Sequence, residues 1–226
     1  MSPSLVLFDI DGTLVRRTGP YHRLALEQSV RRVLGIETTT EGIPLHGMLD
    51  PDIIRGMLQA VRFSPADIAV AMPAILRAAE DAYLEAEIPD IRDKRCPAVP
   101  EVLDTLRQRG AVLALVTGNL PRIGWRKLER AGIHHYFRYG GFGGMAPTRG
   151  LLAKLAIEQA RAEGLITPAA RISLIGDAPQ DIRAAQENGI QSISVRTGVT
   201  PPGDLEACRP DHLLEDLTRL DPAMLF

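Results

Sequence analysis

Two carboxylates one residue apart, Asp9 and Asp11, follow directly on the apolar run Leu5 to Phe8. Four consecutive apolar residues fit a strand buried on both faces, and side chains at i and i+2 of a strand share a face. Both carboxylates can therefore aim at one point just beyond the strand. Two negative groups at the end of a buried strand are costly unless a cation compensates them, and hard oxygen donors favour magnesium. Gly12 allows the sharp exit that such a site needs. An Asp-Gly pair also marks ordinary polar turns, so this stretch alone leaves site and turn both open.

Three later stretches bear on that choice. The apolar run Val112 to Val116 ends in Thr117-Gly118-Asn119, which offers a hydroxyl, a backbone amide and a side-chain amide to an oxyanion without adding charge. The same residues would serve equally well as a helix cap. Ile172 to Ile175 ends in Gly176-Asp177, with Asp181 four residues on, at the start of the next helix. Aspartates are favoured at helix N-termini by the macrodipole, yet four carboxylates at neighbouring strand ends would repel strongly without a divalent cation. The glycine-rich segment Gly140 to Arg149 should supply the basic partner. Arg149 is the nearest cation and Lys154 its rival.

The elements that must position these groups follow from periodicity. Helical spacing is expected over 21–34, from Asp50-Pro51, an acidic cap followed by proline at the first turn, to about Val61, and from Ser64-Pro65 onward, with Pro73 able to split the last before helix resumes over 75–86. Residues 88–100, rich in proline, read as a linker. Strands are expected at 112–116, near 138–142, at 172–175 and at 192–195, separated by helices at 101–109, 121–131, 150–163 and 180–188. Such alternation implies an α/β fold, a Rossmann-like, mostly parallel sheet with helices on both faces. The helical interval after the first strand is too long for a simple crossover and implies an inserted all-helical cap domain. We divide the chain into a core of residues 1–15 and 97–226 and a cap of residues 16–96. Ligands of such sheets bind beyond the carboxyl ends of the strands, where all the groups named above lie.

Composition narrows the class. With 26 Lys and Arg against 28 Asp and Glu, the formal net charge is -2, which argues against a general nucleic-acid surface. Cys96 and Cys208 lack metal-ligand spacing, and the N-terminus lacks a signal peptide's long apolar region. No segment approaches the roughly 20 apolar residues of a membrane span. A cytoplasmic, soluble protein with a small-molecule substrate is the expectation, without nucleic-acid or membrane partners.

The order DIDGT (Asp9 to Thr13), VTGN (Val116 to Asn119), a basic residue, then GDAPQD (Gly176 to Asp181) resembles the haloacid dehalogenase superfamily of hydrolases, of the phosphoglycolate-phosphatase-like kind. The helical insertion is similar to that family's C1 cap, and HGMLDP at His46 to Pro51 to its specificity loop. The resemblance implies a magnesium-dependent phosphatase acting on a small phosphomonoester. Asp9 would be the nucleophile and Asp11 the acid and base. Magnesium would be held by Asp9, the Asp11 backbone carbonyl and Asp177, with Asp181 in support. Thr117, Gly118, Asn119 and Arg149 would bind phosphate. The family usually supplies lysine where Arg149 stands, and Met48 occupies a cap position where many relatives carry a cation; Arg16 and Arg17 are further candidates for charge at the mouth of the site. Two other readings stay open, a β-phosphoglucomutase-type phosphomutase and a non-catalytic binding protein on the same fold.

Overall fold

A computed structural model describes residues 3–226. Its centre is a six-stranded sheet in the order β3-β2-β1-β4-β5-β6, parallel throughout. The strands are β1 (Leu5–Phe8), β2 (Val112–Thr117), β3 (Gly140–Phe142), β4 (Ile172–Gly176), β5 (Gln191–Val195) and β6 (His212–Leu214). β1 is flanked by β2 and β4, with Phe8 opposite both Leu115 and Ile175. Chain order runs from β1 to β2 and β3 on one side, then jumps across β1 to β4. Strand order thus reverses beside β1, the place where open α/β sheets bind ligands.

Alternation along β1 makes two cores. Val6 and Phe8 face a cluster that includes Leu103, Leu106 and Phe137, whereas Leu5 and Leu7 face one that includes Leu152, Ala156 and Ala184. The first side is covered by α4 (Val99–Gln108), among others, and the second by α6 (Arg149–Ala162) and α7 (Pro179–Glu187). α5 (Pro121–Arg130) follows β2, and α8 (Pro202–Ala207) precedes β6. α8 and β6 lie beyond the elements expected from periodicity.

Residues between β1 and α4 carry α1 (Tyr21–Leu34), α2 (Asp50–Ala60) and α3 (Pro65–Glu85), which share a third core around Ile54, Met57, Ile75 and Tyr83. Leu120 and Ile123, from the start of α5, join that core and seat the helices over the sheet edge. α3 runs unbroken through Pro73. Pro73 and Ala69 are both exposed, so the carbonyl that proline leaves without an N–H partner faces water. Meanwhile Ile68, Ile75, Ala79 and Tyr83 hold the buried face on either side of it. No described helix is long and apolar enough to cross a membrane.

Candidate active site

The ends of β1, β2 and β4 meet at a cavity of about 230 Å³, lined by Asp9, Asp11, Thr117, Gly118, Asn119, Lys127, Arg149 and Asp177 on the sheet side. His22, Arg23, His46, Met48 and Asp50 line it on the helical side. Arg16 and Arg17 are exposed and are not among its lining residues. The sequence-expected groups from three separate strand ends thus share one space.

Asp9 is the first residue past β1, and its N–H donates to Ile175 O at 3.0 Å, extending the pairing with β4. Gly12 turns the chain with φ +91°, in the left-handed region. Its missing side chain matters twice, because a Cβ there would overlap the Asp177 carboxylate. Thr13 Oγ1 donates to Asp177 Oδ1 at 3.1 Å, holding that carboxylate in place. Oxygens of Asp9, Asp177 and Asp181 come within 4.8 Å of one another, and all three residues are buried.

Asp181 also accepts the Ala178 N–H at 3.0 Å, so it caps α7 with one oxygen and faces the cluster with the other. Asp181 thus makes a helix-capping bond and lies within the acidic cluster at the same time. Burial pushes its carboxyl up to about 7, against the opposing pull of Arg149. Asp177 is raised well above the carboxylate range by burial and by the charges of Asp9 and Asp181. Asp9 is raised as well, by burial first, with Arg149 opposing. Three buried carboxylates crowded to this degree, offering only hard oxygen donors, fit a divalent cation.

Arg149 supplies the positive charge on this side. Thr148 caps α6 by accepting the Leu151 N–H at 3.2 Å, which sets Arg149 at the helix's first position. Its Nη1 donates to Asp9 Oδ1 at 2.9 Å and to Asp181 Oδ1 at 2.7 Å, while Nε is buried without a partner. Lys154 lies on the outer face of α6, paired with Glu158 at 3.9 Å, and is remote from the cavity. Arg149→Met is expected to destabilise the metal-free chain by about 3 kcal/mol, the low end for breaking a buried pair, since the carboxyls can take up protons instead. Denaturant titration of both chains checks this.

Asp11 behaves differently. Its carboxylate lies outside the trio and faces the cavity, with 43% of its side chain open. Asn119 Nδ2 donates to its Oδ2 at 2.8 Å and to Thr117 Oγ1 at 2.7 Å. Lys127 Nζ donates to the same Asp11 oxygen at 2.6 Å. Burial works to raise the Asp11 pKa, but the Lys127 charge and these hydrogen bonds outweigh it and hold it below the usual value. The two aspartates of the motif therefore share a loop and not a set of partners.

Lys127, His22 and Asp50 escaped the sequence reading. Lys127 is only 1% exposed, although α5 is otherwise rich in exposed charge. Its signal was positional: it stands at i+4 from buried Ile123 and beside Leu128, on the stripe a helix turns inward. Asp50, read as a helix cap, is instead the first residue of α2, whose N-cap is Leu49; its carboxylate accepts from Leu120 N–H at 2.8 Å and meets His22 Nε2 at 3.0 Å. Gly118 is required where the cap loop crosses, since a Cβ there would run into the backbone oxygen of Met48.

Comparison with known proteins shows the family. A family model described as haloacid dehalogenase-like hydrolase matches residues 6–186. The phosphoglycolate phosphatase of Pseudomonas putida is 26% identical over 225 residues, covering 97% of this chain and 79% of that protein. The glyceraldehyde 3-phosphate phosphatase of Methanopyrus kandleri is 28% identical over 239 residues, covering 95% and 97%. The crystal structure of CbbY from Rhodobacter sphaeroides in complex with phosphate shares the fold, with a TM-score of 0.69 at 21% identity over 96% of each chain. The family model spans β1 through α7 and so takes in Asp9, Asp11, Thr117, Asn119, Arg149, Asp177 and Asp181. With its acidic cluster at the carboxyl edge of a parallel sheet and helices folded over it, the chain belongs to the haloacid dehalogenase-like hydrolases.

Proposed function

We propose that this protein is a cytoplasmic, magnesium-dependent phosphatase that hydrolyses a small phosphomonoester through an aspartyl-phosphate on Asp9. The observation that carries the reading is the division between the two motif aspartates. Asp9 sits in the acidic trio beside Arg149, whereas Asp11 turns to Lys127 and Asn119 across the cavity. A nucleophile and a proton carrier need this separation. The relatives named above are phosphatases of two small phosphomonoesters, and a cavity of about 230 Å³ suits a substrate of that size.

Asp9, Asp177 and Asp181 would hold magnesium, with the Asp11 backbone carbonyl completing the set implied by the resemblance. When bound, the ion supplies charge neutralisation for the phosphate and the carboxylates. The chain's own residues do the rest. An Asp9 carboxylate oxygen attacks phosphorus as the bond to the leaving oxygen breaks, and Asp11 delivers a proton to that oxygen. Asp11 must enter this step protonated, although Lys127 favours its ionised form in the free chain. Asp11 then removes a proton from water, which attacks the aspartyl-phosphate and restores Asp9. Arg149, the Thr117 hydroxyl, Asn119 and the Gly118 amide line the place where phosphate oxygens would sit. Residues 16–96 act as the cap and residues 1–15 with 97–226 as the catalytic core, a division supported by the separate apolar core of α1 to α3. A retained Asp11 favours phosphate-ester hydrolysis over a passive binding module, which has no use for an acid held at the cavity wall.

The experiment is phosphate release from a panel of phosphorylated metabolites and p-nitrophenyl phosphate, with and without magnesium. Magnesium-dependent turnover of at least one small monoester is expected. Absence of turnover on the whole panel would favour the binding-module reading.

A further inference from the structure

Lys127 is fully enclosed, and every donor it owns is spent. An ammonium has three N–H groups and no acceptor. Its Nζ reaches Asp11 Oδ2 at 2.6 Å, Asn119 Oδ1 at 2.7 Å and His22 Nδ1 at 3.1 Å. The ring nitrogen facing it must then be an acceptor, so His22 carries its proton on Nε2 and donates it to Asp50 at 3.0 Å. Asp50 is itself anchored on the core, through its carboxylate to the Leu120 N–H at 2.8 Å and through its own N–H to Gly118 O at 2.9 Å. One hydrogen-bonded chain of side chains therefore runs Asp11–Lys127–His22–Asp50. Its first two members belong to the core. His22 and Asp50 open α1 and α2, the helices that lie over the site.

This arrangement is expensive to build and serves no packing need that leucine would not meet. Burying a lysine is favourable only if all its protons are matched, and here the third match comes from the cap. The same chain fixes which way Asp11 points. Asp11 is half-open to the cavity and could otherwise swing toward the acidic trio, but two donors on one oxygen hold it away.

We propose that Lys127 is a positioning residue for Asp11, and that His22 sets Lys127 in place, so that proton delivery to the leaving group depends on how the cap sits on the core. The proposal rests on the reading of Asp11 as acid and base. It differs from a purely structural role in what it does to different leaving groups. A p-nitrophenolate leaves without a proton, whereas an alkoxide needs one, and kcat/KM reports only steps up to departure of that first product.

The test compares kcat/KM for p-nitrophenyl phosphate and for an alkyl phosphomonoester that the parent enzyme turns over. Lys127→Met is expected to lower the alkyl value by at least about 10²-fold, the smaller end of general acid catalysis, and the aryl value by less than about tenfold. His22→Gln, which leaves Lys127 bonded to Asp11 and Asn119, is expected to show the same selectivity at roughly a tenth of the size. Asp11→Asn serves as the reference for that selectivity. Equal losses on both substrates, or none, would overturn the proposal. If Lys127→Met fails to fold, the His22→Gln ratio decides alone, and an unselective loss there overturns it. A parent enzyme inactive on every phosphomonoester would instead defeat the phosphatase reading itself.

Discussion

Replacing Asp9 by asparagine is expected to lower kcat for p-nitrophenyl phosphate by at least about 10⁴-fold, the scale on which loss of a covalent nucleophile acts. The amide keeps the size of the carboxylate and can still accept from Arg149 Nη1. It offers no nucleophilic oxygen. Stability should not fall, because Asp9 is a buried carboxyl raised above its ordinary value by that burial. A neutral side chain at this position relieves the penalty. A melting temperature equal to or above that of the parent chain, together with lost turnover, is the expected pair of results. Activity within about tenfold of the parent would remove Asp9 from the nucleophile's role.

Stripping divalent cations is expected to abolish turnover and to destabilise the fold more at about pH 8 than at about pH 5.5. The sign follows from three carboxyls, Asp9, Asp177 and Asp181, all raised above their ordinary value. Asp181, pushed up by burial to about 7, keeps its proton in the folded chain where the unfolded chain has lost it. Such a group stabilises the fold fully below its unfolded pKa, and that contribution is lost as pH rises through the folded one. The metal-free protein should therefore lose stability from about pH 4 upward to about pH 7 or 8. Cation binding requires the ionised carboxylates, so the rise in melting temperature on adding magnesium should grow over the same window. A gain that is independent of pH, or larger in acid, would contradict the assignment of this trio to a metal.

Much of this site was legible in the sequence, for a definite reason. Strand ends are written as an apolar run that stops at a polar residue, and Asp9, Thr117 and Asp177 all stand at such stops. Parallel pairing then brings those stops to one edge without any knowledge of side-chain contacts. Arg149 was reachable by the same logic, as the first cation after the third strand. Lys127 was not, because a lysine in a charged helix reads as solvated unless its place on the inward stripe is weighed against its type. Asp50 was misread for a related reason. An aspartate before proline at a helix start looks like a local cap, and its use by Leu120, 70 residues away, leaves no trace in local pattern. β6 escaped because its three residues are only half-buried at the sheet's edge. The continuous α3 was obscured by Pro73, whose cost is small on an exposed face.

Transfer of the phosphoryl group to Asp9 is the central step of the proposed reaction, and mass spectrometry can see it directly. The Asp11→Asn chain, slowed in hydrolysing the intermediate, would be mixed with magnesium and p-nitrophenyl phosphate and quenched in acid. The peptide holding Asp9 is expected to gain the mass of one phosphoryl group, and the gain should vanish when Asp9 is also replaced by asparagine. A phosphoryl group found on another residue, or a full burst of p-nitrophenol with no modified peptide, would contradict it.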